Sequence, residues 1–482
     1  MPKLVPTIGL EIHTELRTKT KMFCDSLNDP NEKHPNVNVC PVCMGHPGVL
    51  PVTNKEAIKH VLRVGLAISG ELADYTQWDR KNYFYPDLPK GYQITQDKYP
   101  LVKNGNLDGV RITRIHLEED AGKLIHQKDC TLVDYNRAGV PLMELVTEPD
   151  IKSAEQAKHF AEELRLLLKY LGVSDVDMEK GQMRIEVNIS MAEEGSKQMG
   201  TKAEIKNLNS FRIVESVIAY EIKRQTKKIE TGEKIVQETR GWDEAKQKTF
   251  SQRTKEESHD YRYFPEPDLP SLKISEIEEF QNLEATIPEL PWKKRERLKE
   301  EYAIKGNLIS NLVNDVNLSN FFEQVVSEAR ADASKTLDEN QDKKLIDLTS
   351  NYLTSDMAGI MKDKLLTFEN ILVTPENFAD LMVMILEDKI SSRTAKDVLK
   401  EMIETGAEPH AIVKEKGLEQ TSDTGLIESS AKKAIEENPT AIEDYKKGNT
   451  NSIQFLVGMV MKETKGSANP QKVKEVLEKL LK

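Results

Sequence analysis

Polar and apolar residues alternate strictly in three short stretches of the chain. In "IGLEIHTEL" Glu11, His13 and Glu15 share one face and Leu10 and Ile12 the other. In "MRIEVNIS" Arg184, Glu186 and Asn188 oppose Ile185, Val187 and Ile189, and in "TKAEIKN" Lys202, Glu204 and Lys206 oppose Ala203 and Ile205. A period of two predicts half-buried strands. All three place acids beside bases or imidazole on the polar face, a regularity that solvent exposure alone does not require. Before the second of these stretches the period changes to that of a helix: Ser153 caps, Gln156 completes a capping box, Phe160, Leu164, Leu167, Leu168 and Leu171 form the stripe, and Gly172 ends it. The chain to about residue 290 therefore reads as mixed α and β. Beyond "TIPELPWKKRERL" only helical spacing remains. Thr374 and Pro375 open a helix with Phe378, Leu381, Met382, Ile385 and Leu386 on one face. A further break falls at "ETGAEPH", so the expected domains are 1–292, 293–405 and 406–482, an α+β domain followed by two all-α domains.

Composition narrows the class. A chain of 482 residues exceeds one compact core, and with 38% hydrophobic and 31% charged residues it contains no run apolar enough to span a membrane. The start, "MPKLVPTIGLEIHTEL", has no signal or transit pattern, so a cytoplasmic location is expected. The net charge of -12 argues against nonspecific coating of nucleic acid, DNA included. The tail from Tyr445 to Lys482 is a basic island, with eight lysines against three acidic residues. Four cysteines are too few for a disulfide framework. Three of them lie close together, Cys24 upstream of Cys40-x-x-Cys43, which suggests metal or redox chemistry.

No P-loop, dinucleotide fingerprint or nucleophile elbow is present. Instead there are polar-dense blocks: "GLEIHTEL", "DRKNYFYPDLPKGYQITQ", "IHLEEDAGK", "DYNRAGVPLMELVTEPD", "GTKAEIKNLNS" and "HDYRYFPEPDLP". Carboxylates and histidine on neighbouring strands offer hard oxygen and imidazole ligands for magnesium, and adjacent Lys and Arg can hold phosphate oxygens. A metal-assisted phosphoryl-transfer site fits this set, and so does a face of solvated ion pairs. Alternation does not choose between Glu118 and Glu119, because one bulge swaps them.

In this order and at these spacings the blocks, with the terminal "KGSANP", resemble the B-subunit family of aspartyl/glutamyl-tRNA amidotransferases, over essentially the whole chain. The resemblance implies an antiparallel-sheet cradle, similar to glutamine synthetase and guanidino kinases, followed by a helical domain and a tRNA-binding helical tail. It implies an ATP- and Mg2+-dependent ligase of protein biosynthesis that amidates Glu-tRNA(Gln) or Asp-tRNA(Asn) through an acyl phosphate. Ammonia would come from an amidase A-subunit, held by a small C-subunit, making a heterotrimer. Under this resemblance His13, Glu119 and Glu144 are the expected metal ligands, with Glu11 and Glu118 behind them or at a second metal. Arg80, Lys81, Tyr83, Lys90, Arg184, Lys202, Lys206 and Arg262 are candidates for ATP phosphates or the tRNA terminus. Lys462, Lys465, Lys472 and Lys474, with the amides of a helix beginning at Asn469 and Pro470, are expected to meet the tRNA body. Many family members hold zinc with a C-x-C and a C-P-x-C. Here Cys24, Cys40 and Cys43 remain and Ser26 takes the fourth position, so zinc is doubtful. Two competing readings are a small-carboxylate ligase or kinase that does not use tRNA, and a noncatalytic RNA-binding scaffold.

Overall fold

The computed structural model describes residues 3–254, 261–304, 306–332, 337–368, 370–419, 424–446, 451–464 and 468–481. The chain divides into two compact units, Met1–Pro291 and Trp292–Lys482. The class is mixed α and β, with a large, mostly antiparallel sheet and many helices.

The main strands of the first unit are β1 (Leu4–Glu15), β2 (Asp79–Asn82), β3 (Tyr92–Thr95), β4 (Val110–Glu119), β5 (Pro141–Thr147), β6 (Met183–Glu193), β7 (Ala203–Leu208), β8 (Glu238–Asp243) and β9 (Lys248–Thr254). A ten-stranded sheet runs in the order β9-β8-β7-β6-β1-β5-β4, continued by short strands at Val102–Lys103 and Glu71–Leu72, with the tenth, Asn106–Leu107, pairing β4 off this path. Along this path only β7 and β8 pair in parallel. The alternation in β1 is realised as expected: Ile8, Leu10 and Ile12 are fully buried. Each such side chain contributes about 1.5–3 kcal/mol relative to an exposed one. A one-residue slip would exchange this apolar set for the charged one, so burial of one face fixes the register of both.

Three helices accompany the sheet: α1 (Lys55–Ala67), α2 (Ala154–Tyr170) and α3 (Phe211–Glu230). α3 packs on β6 and α2 packs on α3. The α2 stripe is buried at Phe160, Leu164, Leu167 and Leu168. Its cap differs from the expected box in one arm. The Gln156 N–H donates to Ser153 Oγ at 3.1 Å, but Gln156 Oε1 accepts from the Lys152 N–H, one residue before the cap, at 2.9 Å. Gly172, at φ +66°, follows the last turn. A separate three-stranded sheet joins Phe264–Pro265, β2 and β3.

The described secondary structure of the second unit is helical. It includes α4 (Val316–Asp332) and α5 (Pro375–Leu386), whose Phe378, Leu381 and Met382 are fully buried and whose Thr374 side chain accepts from the Asn377 N–H. Toward the end of the chain lie α6 (Thr424–Glu437), a short helix at Pro439–Lys446, α7 (Asn451–Glu463) and α8 (Pro470–Leu481). α6, α7 and α8 share a core built on Ile427, Leu456, Val460, Val473 and Leu477. Among the described residues no helix is long and apolar enough to cross a membrane.

Candidate functional site

Register decides which charged residues meet. On the polar face of the sheet His13 pairs with Glu144 of β5 and with Arg184 of β6, and Glu144 pairs in turn with His116 of β4. Glu118 lies two residues beyond His116, so regular alternation puts it on the same face. His13 Nε2 is 3.4 Å from Glu144 Oε2 and 3.8 Å from Glu118 Oε1. His116 Nε2 is 3.3 Å from Glu144 Oε2 and 3.9 Å from Glu118 Oε2. Donor atoms of His13, Glu118 and Glu144 lie within 4.8 Å of one another, as a shared cation would need.

Electrostatics follow from this crowding. Burial disfavours the His13 imidazolium, yet Glu144, Glu118 and Glu186 together hold its pKa above the ordinary value. The carboxylates of Glu144 and Glu118 outweigh burial at His116 and push it up to about 9. Burial opposes the Glu144 carboxylate, but His116 and His13 keep its pKa well below the usual range. The group is thus a charged cluster, rich in acceptors, inside the protein.

A second acidic group adjoins it. Glu11 pairs with Glu186, and carboxylate oxygens of Glu11, Glu186 and Glu204 lie within 4.8 Å of one another. Asn188 Nδ2 donates to Glu11 Oε1 at 2.7 Å. Lys206 Nζ bridges Glu186 at 2.8 Å and Glu204 at 3.2 Å, which raises its pKa against burial. A cavity of about 260 Å³ opens over both groups, lined by His13, Glu118, Lys81, Arg184, Glu186, Lys206, Tyr83 and Tyr261. Arg184 is oriented by Asp120, 2.7 Å from its Nη2, and Asp120 also meets Arg137 at 3.4 Å.

Other expected residues are placed elsewhere. Glu119 points to the opposite face of β4, where Lys90 Nζ lies 2.6 Å from its Oε2 and the Ile94 N–H donates to its Oε1 at 2.9 Å. Glu118 rather than Glu119 therefore faces His13 and Glu144, because β4 has no register shift between these residues and His116. Lys90 and Arg80 are likewise committed. Arg80 forms a two-pronged pair with buried Glu266, at 2.7 Å for both contacts, and stacks over Tyr92 at 4.3 Å. Alternation along β2 sends the neighbouring Lys81 the other way, into the cavity and over the Tyr261 ring at 5.0 Å. Lys202 is exposed just before β7, and Arg262 is exposed at φ +44°. Tyr83 stacks on Tyr85 with centroids 5.5 Å apart.

His116, Asp120, Arg137, Glu186 and Glu204 belong to these networks although sequence reasoning gave them no role in the site. His116 carried a signal, since His116 and Glu118 are two apart in "RIHLEE" and must share a face. Arg137 lies in the loop before β5 and carried none.

The three cysteines also converge. Sulfur atoms of Cys24, Cys40 and Cys43 lie within 4.8 Å of one another, with Ser26 Oγ 3.8 Å from Cys43 Sγ. In the tail, Lys462 and Lys472 are exposed on α7 and α8, while Lys474 lies 3.9 Å from Glu478. Lys465 lies outside the described residues. The first amides of α8 are not open to an external anion in the way expected. Asn469 Oδ1 already accepts from Gln471 N–H at 2.9 Å and Lys472 N–H at 3.2 Å.

Comparison with known proteins adds an independent line. Residues 6–279 match the GatB/GatE catalytic domain and residues 321–481 the GatB domain. Over 485 aligned residues the chain is 46% identical to the B-subunit of the aspartyl/glutamyl-tRNA(Asn/Gln) amidotransferase from Caldicellulosiruptor saccharolyticus, covering 98% of this chain and 97% of the relative. It is 45% identical to the proteins of the same name from Thermotoga maritima, covering 99% and 98%, and from Persephonella marina, covering 99% of each. The chain belongs to the B-subunit family of aspartyl/glutamyl-tRNA(Asn/Gln) amidotransferases.

Proposed function

We propose that this chain is the ATP-dependent transamidating subunit that converts Glu-tRNA(Gln) and/or Asp-tRNA(Asn) to the correctly amidated form. The observation that carries the mechanism is the meeting of His13, Glu118 and Glu144 at a cavity that also holds Lys81, Arg184 and Lys206. In this reading the side-chain carboxylate of the misacylated residue attacks the terminal phosphorus of ATP. The bond to ADP breaks and an acyl phosphate forms. Ammonia then displaces inorganic phosphate to leave the amide.

The donor set suits a hard divalent cation. His13 Nε2 lies 3.4 Å from a Glu144 oxygen and 3.8 Å from a Glu118 oxygen, and the three donor atoms lie within 4.8 Å of one another, not far above the ~3 Å between adjacent ligands that bonds of 2.0–2.1 Å require. His13, Glu118 and Glu144 would hold the magnesium ion, which would supply charge neutralisation at the terminal phosphates. Glu11, Glu186 and Glu204 would hold a second ion only with Lys206, which lies 2.8 Å from Glu186 and 3.2 Å from Glu204, turned away. Arg184, aimed by Asp120, and Lys81 hold phosphate or carboxylate oxygens, and His116 orients Glu144. The cysteine set does not suit a closed structural zinc site, because a serine hydroxyl stands fourth and a lysine ammonium lies 3.8 Å from Cys43 Sγ.

The remaining assignments rest on the family. Residues 1–292 act as the catalytic cradle, similar to glutamine synthetase and guanidino kinases, residues 293–405 as a helical domain, and residues 406–482 as the tRNA-binding tail with Lys462, Lys465, Lys472 and Lys474. The partners are the amidase A-subunit, which releases ammonia from glutamine, and the small C-subunit, in the cytoplasm. Reconstitution with those partners tests the proposal: ATP-dependent amidation of a misacylated tRNA supports it. RNA-independent ATP turnover would favour a small-carboxylate kinase or ligase instead, and amidation that survives His13→Ala would favour a scaffold.

A further inference from the structure

In a regular strand Ile205 and Leu208 of β7 would point to opposite faces, because their separation in the chain is odd. Both are nevertheless buried. The ladder to β6 explains this. Ile205 pairs with Val187 and Leu208 with Ile185, so Lys206 and Asn207 together oppose the single residue Glu186. This is a β-bulge, a device that re-aims a side chain. Val187 and Ile185 share the apolar face of β6, so Ile205 and Leu208 share it too. The extra residue leaves both Lys206 and Asn207 on the polar side, and both line the cavity that holds His13, Arg184 and Tyr261.

The bulge is built on an unusual backbone. Asn207 has φ +59°, a left-handed conformation that Asn and Asp adopt more readily than other side chains do. Its neighbour is already occupied: Lys206 Nζ lies 2.8 Å from Glu186 and 3.2 Å from Glu204. Among the described residues nothing hydrogen-bonds the exposed Asn207 carboxamide. A neutral donor suits this position, since a second ammonium would be drawn to the same acids.

We propose that Asn207 is a substrate-binding residue: the bulge presents its carboxamide to the cavity, where the NH2 group donates to an anionic oxygen of the reactants. Two such oxygens exist under the function proposed above, on which this assignment rests. One belongs to the terminal phosphoryl group of ATP, the other to the side-chain carboxylate carried by the tRNA.

The test uses the chain assembled with its amidase and small subunits. Asn207→Gly accommodates the left-handed backbone and removes only the carboxamide, so an asparagine kept for its backbone alone would be replaced without loss. A binding role predicts little change in melting temperature or glutaminase activity, and a fall of about 10- to 100-fold in kcat/KM for ATP-dependent amidation, as for a hydrogen bond to a charged group. Asn207→Asp keeps the size and the backbone preference but sets a carboxylate against the anion, and should lose more. A raised KM for ATP assigns the bond to the phosphoryl oxygen, a raised KM for the misacylated tRNA assigns it to the carboxylate, and a lowered kcat alone assigns it to the transition state. Wild-type kinetics in either variant, or a loss in Asn207→Gly matched by a fall in melting temperature, would overturn the assignment. Absence of ATP-dependent amide from the wild-type complex would instead overturn the proposed function, and this assignment with it.

Discussion

Glu118 and Glu119 are adjacent in the chain and serve opposite sides of one sheet: Glu118 Oε1 lies 3.8 Å from His13 Nε2, while Glu119 Oε2 lies 2.6 Å from Lys90 Nζ. The two isosteric substitutions should therefore separate. Glu118→Gln removes a proposed metal-binding oxygen and should reduce ATP-dependent amidation by on the order of 10²-fold with little change in melting temperature. Glu119→Gln leaves a half-buried ammonium unbalanced and should appear mainly as lost stability, about 1–3 kcal/mol in a denaturant titration. Equal activity losses without any stability loss would contradict this division.

Arg80 and Lys81 form a second such pair. Lys81→Met should fold normally and lose activity, because its ammonium faces Glu118 and the cavity. Arg80→Met strands the buried Glu266 carboxylate, which typically costs about 3–5 kcal/mol, so thermal unfolding should report it first. A well-folded, inactive Arg80→Met variant would restore Arg80 as a phosphate ligand.

The alternation in "IGLEIHTEL" and "MRIEVNIS" already identified the polar face, and it was realised. What the sequence did not contain was which strands lie side by side. β1 lies between β5 and β6, so Glu144 and Arg184 reach His13 only through non-local pairing. The choice of Glu118 over Glu119 needed the absence of a bulge, which is a property of the β4–β5 ladder rather than of either residue. Arg80 shows the converse limit. Its type and neighbours suited a phosphate, but its partner Glu266 lies far along the chain.

Titration of His116 gives a pH prediction for the metal-free chain. Its folded pKa of about 9 lies above the ordinary 6.5, so its protonated form stabilises the fold fully below pH 6.5, and the contribution is lost as pH rises through 9. The span corresponds to on the order of 3 kcal/mol. In the presence of chelator, denaturant titrations at pH 6 and pH 9.5 should show a larger loss for the wild type than for His116→Gln. Parallel behaviour of the two proteins would remove His116 from the charge cluster.

The tail should act on RNA. Deleting the residues after Glu404 is expected to weaken tRNA binding and amidation while leaving glutaminase activity of the assembled complex largely intact. The affinity loss should diminish at high salt, as phosphate contacts by Lys462, Lys472 and their neighbours require. Unchanged tRNA affinity in a filter-binding assay would contradict the role.

The central claim is that His13, Glu118 and Glu144 form the centre of an ATP-dependent amidation of tRNA-bound carboxylates. The direct measurement assembles the chain with its amidase and small subunits and supplies ATP, magnesium, glutamine and each misacylated tRNA in turn. Amide should form on Glu-tRNA(Gln), Asp-tRNA(Asn) or both, only with ATP, and should disappear with His13→Ala in a complex that still hydrolyses glutamine. Amide formation without ATP, or its persistence in the His13→Ala complex, would contradict the account.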